Sequence, residues 1–142
     1  MKNREIFPLM NTGRETFQKS ERLCSYKTIA SLFEEGNIFY TRLFRVVWQS
    51  DPHPGTFPAR IAFSVSKRNF RLAVTRNLLK RRMREAYRKN KESLYKFLNG
   101  ENTGIVFAVI YKEAALSEYS EIEASMKEMI QKLIALIKEN RK

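Results

Sequence analysis

The 142-residue sequence has very little cysteine and histidine: Cys24 and His53 are the single residues of each type. One cysteine excludes an internal disulfide, and one residue of each type excludes a Cys/His metal cluster. No second cysteine and no neighbouring histidine is available to activate Cys24, so packing on a helix face is its simpler role. We therefore expect neither a disulfide scaffold nor cysteine chemistry.

The sequence also lacks the patterns that protein catalysis and membrane insertion require. It contains no Ser/His/acid set, no glycine-rich phosphate loop and no spaced acidic cluster that would bind a metal ion. There is no run of about 18 apolar residues and no charged-then-apolar signal segment at its start. We expect a soluble, cytoplasmic protein without a membrane partner, whose catalytic groups, if any, are supplied by another molecule.

Acidic residues are scarce relative to basic ones. The 27 lysines and arginines exceed the 15 aspartates and glutamates, which gives a formal net charge of +12. Such an excess repels itself in the folded state, so it indicates a polyanionic partner. With 43% hydrophobic residues the chain can still bury a core, and its length is typical of one domain.

Hydrophobic periodicity predicts an α+β fold in one domain over residues 19–142, after an irregular lead-in at residues 1–18. Residues 20–35 show helical spacing, with Ser20 as cap and Gly36 as stop. Residues 37–50 and 59–66 have strand patterns, and the turn-rich segment between them predicts neighbouring antiparallel strands.

The second half of the chain predicts a basic helix, a buried strand and a last helix. A helix stop and a loop are expected at residues 95–104, where Gly100 and Gly104 act as breakers. Residues 105–111 are apolar throughout and short, which favours a central strand. Ser120 and Glu123 form a capping box that predicts a final helix ending near Asn140.

The stretch "RLAVTRNLLKRRMREAYRKNK", residues 71–91, separates into two faces when plotted as a helix. The apolar face carries Leu72, Leu79, Met83, Ala86 and Tyr87, and the basic face carries Arg76, Asn77, Lys80, Arg81, Arg84 and Arg88. A solvated surface would usually mix both signs, because like charges four residues apart destabilise a helix. Glu85 is the one acid between Ser66 and Lys91, so we favour a face that binds phosphate.

Charge does not decide between DNA and RNA, since phosphate contacts carry no sequence information. Exposed aromatic side chains beside the basic surface would favour unpaired RNA, on which they can stack. The candidates, for each of which core packing is the simpler role, are Phe33, Phe39, Tyr40, Phe44, Trp48 and Phe63.

The segment "RIAFSVSKRNFRLAVTRNLLKRRMREAYRKNK" resembles the signature of the bacterial ribonuclease P protein subunit, in which Ser-Val-Ser-Lys ends a strand and Arg-Asn-Arg and Lys-Arg-x-x-Arg-Glu share a helix. The flanking "KSERLCSYKTIASLFEEGNIFYTRLFRVVW" and "IVFAVIYKEAALSEYSEIEASM" extend the resemblance to about residues 19–137. It implies an α-β sandwich similar to a small ribosomal-protein domain, in the order α-β-β-(β)-α-β-α, with a left-handed crossover at the basic helix.

The resemblance also implies a function. Proteins of this family bind a large catalytic RNA and assist its removal of the 5′ leader from precursor tRNA, while the RNA and its Mg²⁺ ions perform the hydrolysis. The expected partners are therefore the catalytic RNA and precursor tRNA, with no further protein required. A ribosomal or other structural RNA-binding protein is the alternative, and a DNA-binding basic helix is a third possibility.

Site residues follow from matching positions. The helix motif corresponds to Arg76, Asn77, Lys80, Arg81, Arg84 and Glu85, and the strand end and turn to Ser64, Ser66, Lys67 and Arg68. In the family, a cleft between the sheet and the first helix holds the leader. Its expected lining here is Phe33, Arg42, Phe63, Ser64, Ser66 and Trp48.

The sequence departs from the family pattern at several of these positions. Leu78 replaces the second arginine of Arg-Asn-Arg, which leaves Arg81 or Arg82 as a substitute. The turn before the helix lacks the usual glycine and is one residue longer. Ile29 and Val47 occupy cleft positions where the family often has an aromatic residue, so Trp48 or Phe63 is expected to provide stacking instead.

Overall fold

A four-stranded sheet with helices on both faces forms the protein in the computed structural model, which describes residues 17–140. A short 3-10 turn at Lys19–Glu21 precedes the first α-helix. The elements that follow are α1 (Tyr26–Glu35), β1 (Asn37–Tyr40), β2 (Phe44–Ser50), β3 (Ala59–Val65), α2 (Ala73–Asn90), α3 (Glu92–Gly100), β4 (Ile105–Tyr111) and α4 (Tyr119–Asn140). The predicted α+β class is confirmed. Most of the predicted lead-in, residues 1–16, lies outside the described residues.

The strand order is β1-β2-β4-β3. The prediction that β2 and β3 are adjacent antiparallel strands is therefore wrong. β4 lies between them, antiparallel to β2 and parallel to β3. Its fully apolar sequence is satisfied only in the centre of the sheet, where both faces are covered. The parallel β3–β4 pair requires a crossover, which α2 and α3 provide. The left hand expected of this crossover stays a prediction.

The two faces of the sheet pack against different helices. The larger core lies between one face and α2, α3 and α4, with Leu79, Met83 and Tyr87 of the basic helix fully buried. On the other face, Leu32 of α1 packs against Val47 and Ala108. A sandwich of helix, sheet and helices therefore results, and among the described residues α1 and the preceding Leu23 cover the second face.

α1 begins later than the sequence pattern predicted. Its N-cap is Ser25, whose Oγ accepts from the amide of Thr28 at 3.2 Å, whereas Ser20 belongs to the 3-10 turn. Gly36 ends the helix as expected, and for a steric reason. A Cβ at this position would lie 2.5 Å from the carbonyl oxygen of Leu32 and 2.6 Å from Val47 Cγ1, so any larger residue would push α1 off the sheet.

The predicted helix stop at Gly100 and the loop after it are present, but the stop ends a separate helix, α3 (Glu92–Gly100), which was not predicted. Leu94, Tyr95 and Leu98 are buried on one side of this helix, and their burial outweighs the weak helix propensity of its final glycine. The reversal into β4 occurs at Asn102, which adopts a φ of 55°, a conformation that asparagine tolerates better than most residues.

Two smaller expectations for the helices are also corrected. α4 begins at Tyr119, so the predicted Ser120–Glu123 box lies inside it, and Glu121 Oε1 instead accepts from the Glu118 amide at 3.1 Å. Leu72, predicted on the apolar face of the basic helix, is 69% exposed because the helix starts one residue after it.

A buried ion pair joins the N-terminal segment to the junction of α2 and α3. Glu21 is completely buried, and its Oε1 lies 2.5 Å from Nζ of Lys91, the single residue between the two helices. The Tyr95 hydroxyl donates to the same carboxylate. Burial raises the pKa of Tyr95 well above its usual value, so this hydroxyl stays protonated and remains a donor.

Removing one partner of this pair leaves the other charge buried and uncompensated. We therefore expect Glu21→Gln and Lys91→Met each to lower the free energy of unfolding by about 3–5 kcal/mol, measured by urea denaturation. The double variant should lose clearly less than the sum of the single losses. Additive losses would contradict a direct interaction.

The control is the exposed pair Lys96–Glu92 on the neighbouring helix, whose charged atoms lie 3.6 Å apart. Replacing either partner there should change stability by no more than about 1 kcal/mol, because exposed pairs are well screened by water.

Candidate nucleic-acid interface

The outer face of α2 carries basic side chains without acidic partners. Arg81 is exposed and Lys80 and Arg84 are half-buried, opposite the buried Leu79 and Met83. Within residues 17–140, none of the three basic side chains forms an ion pair or a hydrogen bond with another side chain. Asn77 is exposed on the same helix. Part of the face predicted to bind phosphate, formed by Lys80, Arg81 and Arg84, therefore carries positive charge without an acidic partner among the described residues.

Arg84 lies where this positive charge is most concentrated. Its pKa is lowered first by partial burial and then by the charges of Arg22 and Arg81. Arg22 precedes α1 by only a few residues, and the sequence analysis did not assign it to any site. Only the fold could reveal this neighbour, because the two arginines are 62 positions apart in the sequence.

Two side chains predicted to contact RNA already have partners in the protein. Arg76 donates from Nη1 to the carbonyl oxygens of Phe70 and Arg71, both at 2.8 Å, and so holds the turn before α2. Arg88 forms a two-point pair with Glu85, at 3.1 and 2.7 Å, which also lowers the pKa of that carboxyl. The charge and position of both guanidinium groups are therefore partly committed to the fold.

Arg82 does not replace the arginine missing at Leu78. Its Nη1 donates to the carbonyl oxygen of Ser117 at 2.5 Å, which ties α2 to the segment before α4. Of the two proposed substitutes, only Arg81 points its charge outward without a partner. Leu78 itself is half-buried.

The turn between β3 and α2 is closed by Ser66 in place of the missing glycine. Ser66 Oγ accepts from the Arg68 amide at 3.0 Å, and its carbonyl oxygen accepts from the Phe70 amide at 3.1 Å. Lys67 and Arg68 are exposed on this turn, as expected for residues that contact a polyanion.

A second surface lies on the sheet beside α1. Tyr40, Arg45, Ile110 and Ser64 are in register across all four strands. Directly opposite residues point to the same face, so these side chains form a row next to Val47 and Ala108, which α1 covers. We refer to this row as the open sheet row.

The open sheet row combines an aromatic ring with a free cation. Tyr40 is 54% exposed, and Arg45 is half-buried and has no hydrogen-bond or ion-pair partner among the described residues. Phe33 on α1 is 45% exposed and follows the half-buried Ile29 by one helical turn. The surface can therefore offer stacking and a phosphate contact at the same place.

Two predicted cleft residues lie on the opposite face of the sheet. Trp48 is 3% exposed in the larger core, and the ring of Phe63 packs against Tyr87 at 6.0 Å between centroids. Strand alternation explains both corrections, because each residue is next to a cleft-facing one, Val47 and Ser64. Arg42 lies in the β1–β2 turn, 3.6 Å from Glu121 of α4, and is mostly exposed.

Other kinds of site are not formed by the described residues. Within residues 17–140, no group of three or more His, Cys, Asp or Glu side chains is placed to hold a metal ion. None of the helices in this range is long and apolar enough to cross a membrane.

The sequence model of the ribonuclease P family matches residues 17–134 of this chain. The chain belongs to the ribonuclease P protein family. It is similar to the ribonuclease P protein component of Porphyromonas gingivalis, with 33% identity over 84% of this chain and 88% of the relative. The corresponding protein of Chlorobium phaeobacteroides is 40% identical over 56% of this chain and 57% of its own length.

Solved ribonuclease P proteins share the fold. The Staphylococcus aureus protein superposes with a TM-score of 0.63 at 23% identity, covering 81% of this chain and 95% of that one. The Thermotoga maritima protein gives a TM-score of 0.61 at 22% identity, covering 79% and 96%. This chain therefore has the fold of the solved ribonuclease P proteins.

Arg81 and Arg82 are adjacent arginines with different surroundings, which makes them a matched pair. Arg82→Ala should lower the free energy of unfolding by about 1.5 kcal/mol, because it removes a charged donor from the Ser117 carbonyl. Arg81→Ala should change stability by no more than about 0.5 kcal/mol but weaken binding to RNA. Urea denaturation would measure stability, and filter binding would measure RNA affinity. If the two variants lost the same stability and the same RNA affinity, the distinct roles assigned to Arg81 and Arg82 would be contradicted.

Proposed function

We propose that this chain is the protein subunit of a ribonuclease P ribonucleoprotein, which binds the catalytic RNA and the 5′ leader of precursor tRNA. The observation that carries the proposal is the cluster of Lys80, Arg81 and Arg84 on α2, which has no acidic partner among the described residues, in a chain of this family. Within residues 17–140, Lys80, Arg81 and Arg84 have no partner that would explain their clustering. An RNA backbone would neutralise them and release its own counterions.

The two surfaces suit two different parts of an RNA substrate. The basic face of α2 presents charge without exposed aromatic rings, which fits the phosphate backbone of a folded RNA. The open sheet row presents Tyr40 beside Arg45, which fits an unpaired strand whose bases can stack. Four strands spaced by about 4.8 Å give the row a length of about 14 Å, enough for two or three extended nucleotides.

The proposed division of chemistry assigns hydrolysis to the RNA. The described residues bring together no metal-binding cluster, so we expect the Mg²⁺ ions of the reaction to be held mainly by the RNA. The protein would contribute positive charge, which reduces repulsion between two polyanions, and a surface that orients the leader. It would thus be the non-catalytic component of an endoribonuclease.

Reconstitution tests this proposal directly. Purified protein, the cognate catalytic RNA and precursor tRNA would be combined at low Mg²⁺ concentration, and leader removal followed with and without protein. We expect the protein to accelerate cleavage. An unchanged rate despite tight RNA binding would overturn the proposal in favour of a structural RNA-binding protein, and a preference for duplex DNA would favour a DNA-binding role.

Tyr40 should determine how well the complex distinguishes precursor from mature tRNA. Loss of a stacked base costs about 1–3 kcal/mol, so Tyr40→Ala should reduce precursor affinity by about fivefold or more while mature tRNA affinity stays the same. Tyr40→Phe should retain the wild-type preference, because the ring alone stacks.

The control for Tyr40 is Tyr26, which is 87% exposed at the start of α1 and outside the open sheet row. Tyr26→Ala should leave both affinities unchanged. A Tyr40→Ala complex that still prefers precursor tRNA as strongly as the wild type would exclude the open sheet row as the leader site.

A further inference from the structure

Arg22 is held in one position by the segment on either side of it. Its backbone forms a parallel bridge with Ile61 at the outer edge of β3, and the amide of Leu23 donates to the Ile61 carbonyl at 2.9 Å. The preceding residue, Glu21, is locked into the core by Lys91. Since Glu21 points inward and Arg22 is exposed, the buried ion pair fixes the direction of the arginine.

The Arg22 guanidinium also has a support for its side chain. It lies 5.7 Å from the centre of the Phe17 ring, and that ring packs edge-on against Phe63 and Tyr87 of the core. A cation held over an aromatic face is restrained without losing its hydrogen-bond donors. Arg22 is therefore pre-oriented, unlike a typical surface arginine.

Arg22 lies beside α2, because the Phe17 ring under its guanidinium packs against Tyr87, one helical turn after Arg84. Arg84 is half-buried on this side of α2, and its pKa is lowered first by that burial and then by the charges of Arg22 and Arg81. Within the described residues, none of the three forms an ion pair. Three like charges held together without a counter-charge destabilise the free protein, and a bound anion would reverse that effect.

We infer that Arg22, together with Arg81 and Arg84, forms a single phosphate-binding site between the β3 edge and the basic helix. The inference deepens the proposed function, on which it rests, because it adds a residue from outside the helix to the RNA contact. Guanidinium groups approaching from two elements can each donate to different oxygens of one phosphate. A phosphate of the RNA backbone would thus be bound between the N-terminal segment and α2.

A double-mutant cycle on the full chain tests whether the arginines share a phosphate. Arg22→Ala and Arg84→Ala should each weaken binding to the catalytic RNA by about tenfold and reduce the salt dependence by about one unit of slope or less. The double variant should lose about tenfold to thirtyfold, less than the product of the single losses. Arg22→Lys should keep the salt slope but recover only part of the affinity, because lysine lacks the two-point donor geometry.

Lys132→Ala is the matched control for the removal of one positive charge. Lys132 donates to the Tyr40 carbonyl at the β1 edge, three strand spacings or about 14 Å from β3. We expect this variant to bind the catalytic RNA as the wild type does. Unchanged affinity in Arg22→Ala would overturn the inference, and so would a hundredfold loss in the double variant.

A measurement without RNA separates this inference from the proposed function. Pyrophosphate should raise the melting temperature of the wild type and of Lys132→Ala more than chloride does at equal ionic strength, and Arg22→Ala should lose that difference. Stabilisation by pyrophosphate without binding to the catalytic RNA would overturn the proposed function and leave the phosphate site standing. Equal stabilisation of all three proteins would overturn the site.

Discussion

The buried pair of Glu21 and Lys91 is the interaction on which the rest of the structure depends. Burying two opposite charges is costly unless their geometry and hydrogen bonds are satisfied, and here Tyr95 completes the carboxylate. The pair connects the segment at the β3 edge with the junction of the basic helix and α3, which lies 70 positions later in the sequence. It therefore fixes both the direction of the basic helix and the position of Arg22 beside it.

The sheet order gives the molecule two surfaces with different chemistry. Because β4 occupies the centre and runs parallel to β3, the crossover places α2 and α3 on one face together with α4. α1 covers only part of the other face, so the open sheet row remains accessible. The basic helix α2 and the open sheet row thus lie on opposite sides of one sheet. The effect of a substitution in one surface can therefore be measured without changing the other.

Hydrophobic periodicity correctly predicted those helices and strands whose formation depends on neighbouring residues in the sequence. The continuous apolar run of β4 and the two faces of α2 follow from periodicity, and both are present. The sheet order and helix α3 could not be derived, because they depend on which apolar faces meet in the folded chain. The same limit applies to the site: helical periodicity placed Lys80, Arg81 and Arg84 on the basic face and left Arg82 off it. The sequence could not show that Arg82 donates to the Ser117 carbonyl, because this contact depends on how α2 packs against the segment before α4.

The distribution of acids explains why the basic surface persists in the folded protein. Glu21 is used in the core and Glu85 is occupied by Arg88, so neither is available to neutralise Arg22, Arg81 or Arg84. The resulting repulsion is tolerated because the N-terminal segment and α2 are held by buried contacts that do not involve the three guanidinium groups. The side chains that stabilise the fold here are therefore different from the three arginines that carry the surface charge. This allows the three arginines to stay without a counter-charge until an anion binds.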